Sequence, residues 1–298
     1  MNKTDQLIHY FSDTNAKLSD RKIGMEVETH FVVEDGEPIS LAMSQSIFQG
    51  LIADDWMLSQ KKGDFITKIV NGEGDCLQYE LGHQLLELST IPQSKREVVS
   101  YCRKILKEIY GAGETVGAYP LFTPILNTTE DLLVIPDDRD ATWVELDGRI
   151  ALKRLATIAA VQFSIDIVPS ETISCLNRLG DNIANFLSDY PQDSVWRDYI
   201  ELSNAGYDST RYGGPLHFES LEDYCRQLSR HLVVDNIKGK LVEQNPLQDI
   251  DLFLRSIWWY FRLRKHGQQI CIEVRPLPRR SDDKFGTQLN VLLDVMGI

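Results

Sequence analysis

The chain has 298 residues, and its 31 Lys and Arg residues against 44 Asp and Glu residues give a formal net charge of −13. This balance argues against a general nucleic-acid binder or a binder of anionic membranes, because such proteins carry a basic face. Apolar residues make up 43% of the chain, enough for a sizeable core, which excludes the intrinsically disordered class.

The cysteines and the hydropathy pattern indicate the cellular compartment in which the protein is expected. Five cysteines lie far apart and form no C-x-x-C pair, which favours buried free thiols in a reducing compartment over a disulfide framework. No apolar stretch approaches the ~20 residues needed to cross a bilayer, and the N-terminus lacks a signal-peptide pattern. We therefore expect a soluble, cytoplasmic protein.

A strand with two glutamates on one face is the first candidate site. Polar and apolar residues alternate from Lys22 to Phe31, which places Glu26, Glu28 and His30 on one side of the strand. The two carboxylates lie about 6–7 Å apart along the strand, because each residue rises about 3.3 Å. At that separation they can bind one or two hard cations. The alternative is a solvated strand face, since charged residues usually point at water.

The remaining elements follow from periodicity and turn signals. Met57 to Pro92 has the composition of an antiparallel meander. A capping-box spacing precedes a helical period that predicts a helix over Lys95–Tyr110, ending at Gly111. Further helices are predicted at Ala141–Ala160, Glu171–Ser188, Leu221–Leu232 and Lys284–Val295, and strands at Gly117–Leu126, Val161–Val168 and Gln269–Leu277. Because βαβ units do not repeat, we expect one α+β domain over residues 1–298.

Two more polar patterns fall on predicted strands. Glu80 and Glu87 lie among leucines, so each either faces outward by alternation or is held by a charge partner. Alternation in the strand from Val161 puts Gln162 and Ser164 on one face. Taken alone, this pattern indicates only a half-buried strand and does not predict a functional site.

The C-terminal region supplies the positive charge. Arg262 and Arg264 share a face if extended, as do Glu273 and Arg275. A carboxylate beside an arginine suits a metal–phosphate site, in which the carboxylate binds the cation and the guanidinium binds phosphoryl oxygens. The alternative for each half alone is a surface ion pair.

The order of these islands resembles the glutamate–cysteine ligase family, most closely the group that contains the plant and proteobacterial enzymes and the related bacterial carboxylate–amine ligases. The resemblance extends from about Ile23 to Pro276, in islands only. The islands are Gly24-x-Glu26-x-Glu28, Tyr79-Glu80-Leu81 with Glu87, Val161-Gln162, Arg262-Leu263-Arg264 and Glu273-Val274-Arg275.

The resemblance implies a glutamine-synthetase-like fold: a curved, mainly antiparallel sheet with helices packed on its outer face. It also implies ATP and two or three Mg²⁺ ions as cofactors, with Mn²⁺ as a substitute. The implied metal ligands are Glu26, Glu28, Glu80, Glu87 and Glu273. The implied catalytic residues are Arg262, Arg264 and Arg275, and the implied cofactor-binding residues are Gln162, Ser164 and Arg264.

The implied function is an ATP- and Mg²⁺-dependent carboxylate–amine ligase that joins a glutamate-like amino acid to an amine through an acyl phosphate. Positioning the γ-phosphoryl group and stabilising its charge are then the main tasks of the protein. The chain is shorter than most members and has Ser164 where many carry Asn or His, so the acceptor amine stays open. The alternatives are a catalytically silent nucleotide- or amino-acid-binding protein and a metal-dependent hydrolase.

Overall fold

The computed structural model describes residues 1–14, 21–133, 138–235 and 239–298. Its strands are β1 Ile23–Val32, β2 Met57–Lys62, β3 Phe65–Val70, β4 Cys76–Tyr79, β5 Leu85–Ser89, β6 Tyr119–Leu121, β7 Val161–Ile167, β8 Tyr212–Gly213, β9 Val233–Asp235, β10 Lys240–Val242, β11 Trp258–Trp259, β12 Phe261–His266 and β13 Gln269–Val274. Its helices are α1 Lys3–Ser12, α2 Leu41–Ala53, α3 Val98–Glu114, α4 Asp138–Asp147, α5 Arg149–Leu155, α6 Thr172–Asp181, α7 Ile183–Leu187, α8 Gln192–Leu202, α9 Leu221–Leu228, α10 Ile250–Arg255 and α11 Phe285–Met296.

One nine-stranded sheet organises the chain. Its strand order is β12-β13-β7-β1-β5-β4-β3-β2, with β6 also paired to β1. The pairings within this sheet are antiparallel. Strand β1 therefore lies near the centre, between β7 and β5. The predicted α+β class with a mainly antiparallel sheet is confirmed.

The apolar side of β1 fixes the orientation of the sheet. Met25, Val27 and Phe31 are buried in the main hydrophobic core together with residues of α3, and α3 contacts β1 directly. Helices α2 and α6 contact β3 and β12 in the same layer. Each fully buried side chain of this size contributes about 1.5–3 kcal/mol. Burial of this apolar side turns the alternate residues of β1 to the opposite face.

Several predicted boundaries are wrong because tertiary packing overrides local signals. Helix α3 passes through Gly111 and ends at Glu114. The helix predicted over Ala141–Ala160 is two helices, separated at Gly148, where φ is +82°. The helix predicted over Glu171–Ser188 is divided at Asn182 into α6 and α7. The helix predicted over Leu221–Leu232 ends at Leu228, and the strand predicted over Gly117–Leu126 forms only over Tyr119–Leu121.

The cysteines agree with expectation: all five are buried free thiols. No helix in the described part of the chain is both long and apolar enough to span a bilayer. The compartment and the single domain over residues 1–298 stay predictions.

Two glycine substitutions test the helix boundaries. We expect Gly148→Ala to lower the free energy of unfolding by about 1–3 kcal/mol, because its positive φ strains a side-chain-bearing residue. An added Cβ would also lie 2.6 Å from Asn204 Nδ2. As the matched control, Gly111→Ala within α3 meets no atom within 4 Å and should stabilise the protein by about 0.5–1 kcal/mol. Urea unfolding measures both, and a destabilised Gly111→Ala variant would contradict the helical assignment.

Candidate functional site

The antiparallel register gathers the predicted residues on one side of the sheet. Directly paired residues project to the same side, so the pairing of Glu28 with Glu87 and of Glu26 with Gln162 places these four side chains together. Glu273 reaches the same side through β13 and β7. We call this side, defined by Glu26, Glu28, Glu87, Gln162 and Glu273, the carboxylate face.

Glu87 is the deepest of the central glutamates, with 6% of its surface exposed. Its Oε1 accepts hydrogen bonds from Gln78 Nε2 at 2.9 Å and from Ser89 Oγ at 3.1 Å. Glu80 follows the end of β4; after burial, its charge and its hydrogen bond to Glu87 are the largest causes that raise the pKa of Glu87. The leucines that flank Glu87 in sequence face the core, so alternation places the Glu87 carboxylate on the opposite side of the sheet. There it has polar hydrogen-bond partners.

The two glutamates of β1 have different surroundings. Glu28 accepts a hydrogen bond at Oε2 from the backbone N–H of Ala160 at 2.7 Å and one at Oε1 from Gln162 Nε2 at 3.1 Å. Within the described ranges, no donor hydrogen-bonds the carboxylate of Glu26. Its nearest opposite charges are the guanidinium groups of Arg275 and Arg262.

Three arginines surround the carboxylate of Glu273, which is 4% exposed. Arg262 donates a bidentate pair of hydrogen bonds at 2.9 and 2.8 Å, and Arg275 Nη1 donates one at 2.7 Å. Arg264 Nε lies 3.7 Å away. Arg275 Nη1 also donates to Gln162 Oε1 at 2.8 Å, which ties the arginine cluster to strand β7. Paired guanidinium–carboxylate bonds of this kind hold both partners in a fixed orientation.

The buried carboxylates fall into two electrostatic classes. Burial raises the pKa of Glu26, Glu28 and Glu87 to about 8, and repulsion from Glu87 or Glu80 adds to the shift. Glu273 is also buried, yet the three arginines, Arg262 first, hold its pKa well below the usual range. Glu273 is therefore ionised, whereas in the described part of the chain none of the other three forms an ion pair with a basic side chain.

The carboxyl groups at this face have the donor chemistry that a divalent cation prefers. Mg²⁺ prefers carboxylate oxygens together with substrate phosphates, and a bound cation replaces the protons that uncompensated carboxylates retain. Glu26, with no hydrogen-bond donor among the described residues, is the clearest candidate ligand. Within the same ranges, no three Asp, Glu, His or Cys side chains are already close enough to enclose a metal ion. The ligand set therefore stays a prediction.

The other predicted residues fall along the same side of the sheet. Ser164 pairs with Gly24 on β1 and with Glu273 on β13, and Arg264 pairs with Cys271 one step further along β13. Their roles in nucleotide binding stay predictions.

Two polar residues near the face escaped the sequence reasoning. Tyr190 is buried, and its closest charged neighbours include Arg275 and Glu28. It lies in the short connection between α7 and α8, where no local pattern indicates a site. Lys68 pairs with Gln78, which in turn pairs with Glu87, so it extends the row on β3. The alternation of residues along β3 could have indicated that Lys68 projects to the carboxylate face.

Comparison with solved structures identifies proteins that share this fold. No protein-family profile matches the sequence, and no curated protein matches it. A glutamate–cysteine ligase from Francisella tularensis, solved in complex with AMP, superposes with a TM-score of 0.55 at 12% identity, over 96% of this chain and 68% of that one. A bifunctional glutathione synthetase from Pasteurella multocida superposes with a TM-score of 0.50 at 12% identity, over 99% of this chain and 40% of that one.

These similarities show a shared fold. The chain has the α+β fold of glutamate–cysteine ligase, and the predicted resemblance to that family is confirmed at the level of architecture. The chain spans 40% of the length of the bifunctional synthetase, so the activity of the whole enzyme does not follow from the superposition.

The buried ion-pair cluster makes a stability prediction. We expect Arg262→Met to lower the free energy of unfolding by about 1–3 kcal/mol. The variant loses the bidentate bonds to Glu273 and the bonds to the backbone carbonyls of Leu254 and Ile257, while Arg264 and Arg275 still compensate the charge of Glu273. Arg149→Met is the matched control: that arginine pairs with Asp131 at 2.8 Å, but both side chains are about 40% exposed. Its loss should cost less than about 1 kcal/mol. Equal losses in urea unfolding would show that the Glu273 cluster does not stabilise the fold.

Proposed function

We propose that the protein is an ATP- and Mg²⁺-dependent carboxylate–amine ligase that activates a glutamate-like acid as an acyl phosphate. One observation carries the proposal: three buried carboxyl groups with a raised pKa, which form no ion pair among the described residues, adjoin a carboxylate held by three arginines. Such a face offers ligands for cations and donors for phosphoryl oxygens side by side. The shared fold with a glutamate–cysteine ligase supports it.

The reaction requires two displacements. A carboxylate oxygen of the donor acid forms a bond to the γ-phosphorus of ATP, and ADP leaves. The amine nitrogen then forms a bond to the acyl carbon, the bond from that carbon to the phosphate oxygen breaks, and the amine loses a proton as phosphate departs. This chemistry needs positioning and charge stabilisation, and no covalent nucleophile from the protein.

The arginines would stabilise the transferring charge. Arg275 is oriented beforehand by Glu273 and Gln162, so it can meet a developing negative charge without reorganising. Arg262 and Arg264 would contact the phosphates, with Gln162 and Ser164 on the nucleotide side. Mg²⁺, held by Glu26, Glu28, Glu80, Glu87 and Glu273, would neutralise the phosphate oxygens when bound.

The direct experiment is ADP release by purified protein with Mg-ATP, glutamate and a panel of amines, together with mass-spectrometric detection of the amide. We expect ADP and amide in equal amounts for at least one amine. Nucleotide binding without turnover for any pair would instead favour a silent binding protein. Amide or phosphoester hydrolysis that proceeds without ATP would favour a hydrolase.

Two substitutions test the assignment of roles. We expect Arg275→Lys and Glu28→Gln each to lower kcat for ADP release by about 10²–10³-fold, the range for removal of one electrostatic contact to a transition state. Arg226→Lys, on α9 with a 60% exposed side chain, is the matched control and should leave kcat unchanged. Circular dichroism verifies folding. Full activity in the Arg275→Lys variant would remove that residue from the catalytic set.

Cation binding should depend on pH. Because burial raises the pKa of Glu26, Glu28 and Glu87 to about 8, protons occupy these groups at pH 6 and must leave before a cation binds. We expect the affinity for Mn²⁺, measured by electron paramagnetic resonance, to rise steadily from pH 6 to pH 8, where these groups are about half ionised, and to level off only above that pH. Glu26→Gln should weaken binding at pH 8. A pH-independent affinity would place the cation elsewhere.

A further inference from the structure

Three tyrosines lie together where the connection between α7 and α8 approaches the carboxylate face. The rings of Tyr212 and Tyr260 pack edge-on, with their centroids 5.2 Å apart. Both of these hydroxyls donate to Oδ1 of Asp193, and Arg197 Nε donates to the other oxygen of that carboxylate at 2.8 Å. The third tyrosine, Tyr190, therefore finds the acceptor of this group already engaged by other donors.

The Tyr190 hydroxyl is accessible although the residue is buried. Tyr190 is 5% exposed, and its hydroxyl forms no hydrogen bond with any residue that the structure describes. It is also not one of the side-chain atoms that the described part of the chain encloses without a partner. The small exposed part of Tyr190 therefore includes the hydroxyl, which is open to a ligand.

Hydrogen bonds hold the segment of Tyr190 against the carboxylate face. Two residues after Tyr190, Gln192 donates from Nε2 to the carbonyl of Ala159 at 2.7 Å. The N–H of the next residue, Ala160, donates to Oε2 of Glu28 at 2.7 Å. The segment is therefore anchored one residue away from the backbone donor that holds Glu28.

Tyr190 and Arg275 act on each other electrostatically. Burial raises the pKa of Tyr190, the charge of Arg275 opposes that shift, and the charge of Glu28 adds to it. After Glu273, Tyr190 is the group that most raises the pKa of Arg275. Arg275 binds Glu273 and Gln162 through Nη1 alone, and its Nε and Nη2 have no acceptor within the described ranges. Arg275 and Tyr190 thus offer unused donors at the same end of the face.

This pair of donors suits an anionic oxygen. A phenol donates one hydrogen bond, and a guanidinium donates several. Donors that folding has already placed beside a developing negative charge stabilise it without reorganising. A positively charged ligand atom would be repelled by Arg275 at this position. The chemistry therefore favours an oxygen of a phosphoryl group over an ammonium group.

We propose that Tyr190 is a further catalytic residue, whose hydroxyl donates a hydrogen bond to an oxygen of the transferring phosphoryl group beside Arg275. This inference rests on the ligase function proposed above. In that step the bond from the γ-phosphorus to the ADP oxygen breaks as the bond to the donor carboxylate forms. Tyr190 keeps its proton throughout and shares with Arg275 the charge on the phosphoryl oxygens.

Tyr190→Phe tests the hydroxyl alone. We expect kcat for ADP release to fall at least about tenfold, with the KM for ATP within about twofold of the wild-type value, because the hydrogen bond acts in the transition state. Tyr212→Phe is the matched control, since it removes a hydroxyl of the same group that Asp193 already holds. It should leave kcat unchanged. An unchanged kcat in Tyr190→Phe, or equal losses in both variants, would overturn the proposal.

Urea unfolding distinguishes catalysis from a structural role. Tyr190→Phe should leave the midpoint unchanged or higher, because the hydroxyl has no partner among the described residues. Tyr212→Phe loses its bond to Asp193 and should lower the midpoint. A lower midpoint in Tyr190→Phe would show that the hydroxyl stabilises the fold and would contradict the proposed role.

Calorimetry separates this inference from the ligase function. The probe is Mg-ADP with aluminium fluoride, which mimics the transferring phosphoryl group, and Mg-ADP alone is the reference. If Tyr190→Phe weakens binding of the probe at least tenfold but not of the reference, the Tyr190 role is supported even without turnover, and only the ligase proposal fails. Equal binding of the probe by wild type and Tyr190→Phe would overturn the Tyr190 proposal and leave an active ligase intact.

Discussion

The register of strand β1 is the constraint on which the candidate site depends. In an antiparallel sheet, a slip of one residue would carry every side chain of β1 to the other face. Met25, Val27 and Phe31 prevent such a slip, because each is buried against the helical layer. The same burial holds Glu26 and Glu28 on the opposite side. Apolar packing on one side of the sheet therefore gathers carboxyl groups on the other.

Basic and acidic side chains are distributed unevenly across this face of the sheet, because most of its arginines come from one segment of the chain. The segment from Arg255 to Arg280 carries seven Lys or Arg and a single acid, Glu273, within a chain of net charge −13. Strands β12 and β13 lie in this segment and bring the arginines to one end of the sheet. Glu273 is paired with arginines there, whereas among the described residues Glu28 and Glu87 have only neutral donors and Glu26 has none. An overall acidic protein thus contains a local cationic edge beside a central group of carboxyl groups whose pKa is raised to about 8.

Features of the fold and site that depend on residues close in sequence could be predicted, whereas features that depend on contacts between distant residues could not. The period-2 alternation around Glu26 and Glu28 is local, so the face was predictable, and the ordered islands indicated the fold. Gly111 has the composition of a helix stop but lies inside α3, because packing of the helix against β1 continues beyond it. Tyr190 approaches Arg275 only because Gln192, two residues later, anchors its segment to the carbonyl of Ala159 at 2.7 Å. No local sequence pattern predicts a contact between residues so far apart in the chain.

The arginine cluster also has spare binding capacity. Each guanidinium has five N–H donors. Arg262 has four of them engaged, two by Glu273 and two by the backbone carbonyls of Leu254 and Ile257, so within the described residues the spare donors belong mainly to Arg264 and Arg275. Glu273 orients Arg262 and Arg275 but neutralises only one of three positive charges, which leaves an excess of two beside carboxylates that repel one another. Under the proposed function, a phosphoryl group would accept from the remaining donors, and a cation held by the carboxylates would offset their charge. Because Glu273 and Gln162 already fix the position of Arg275, most of the ordering cost at that residue is met by folding before any ligand arrives.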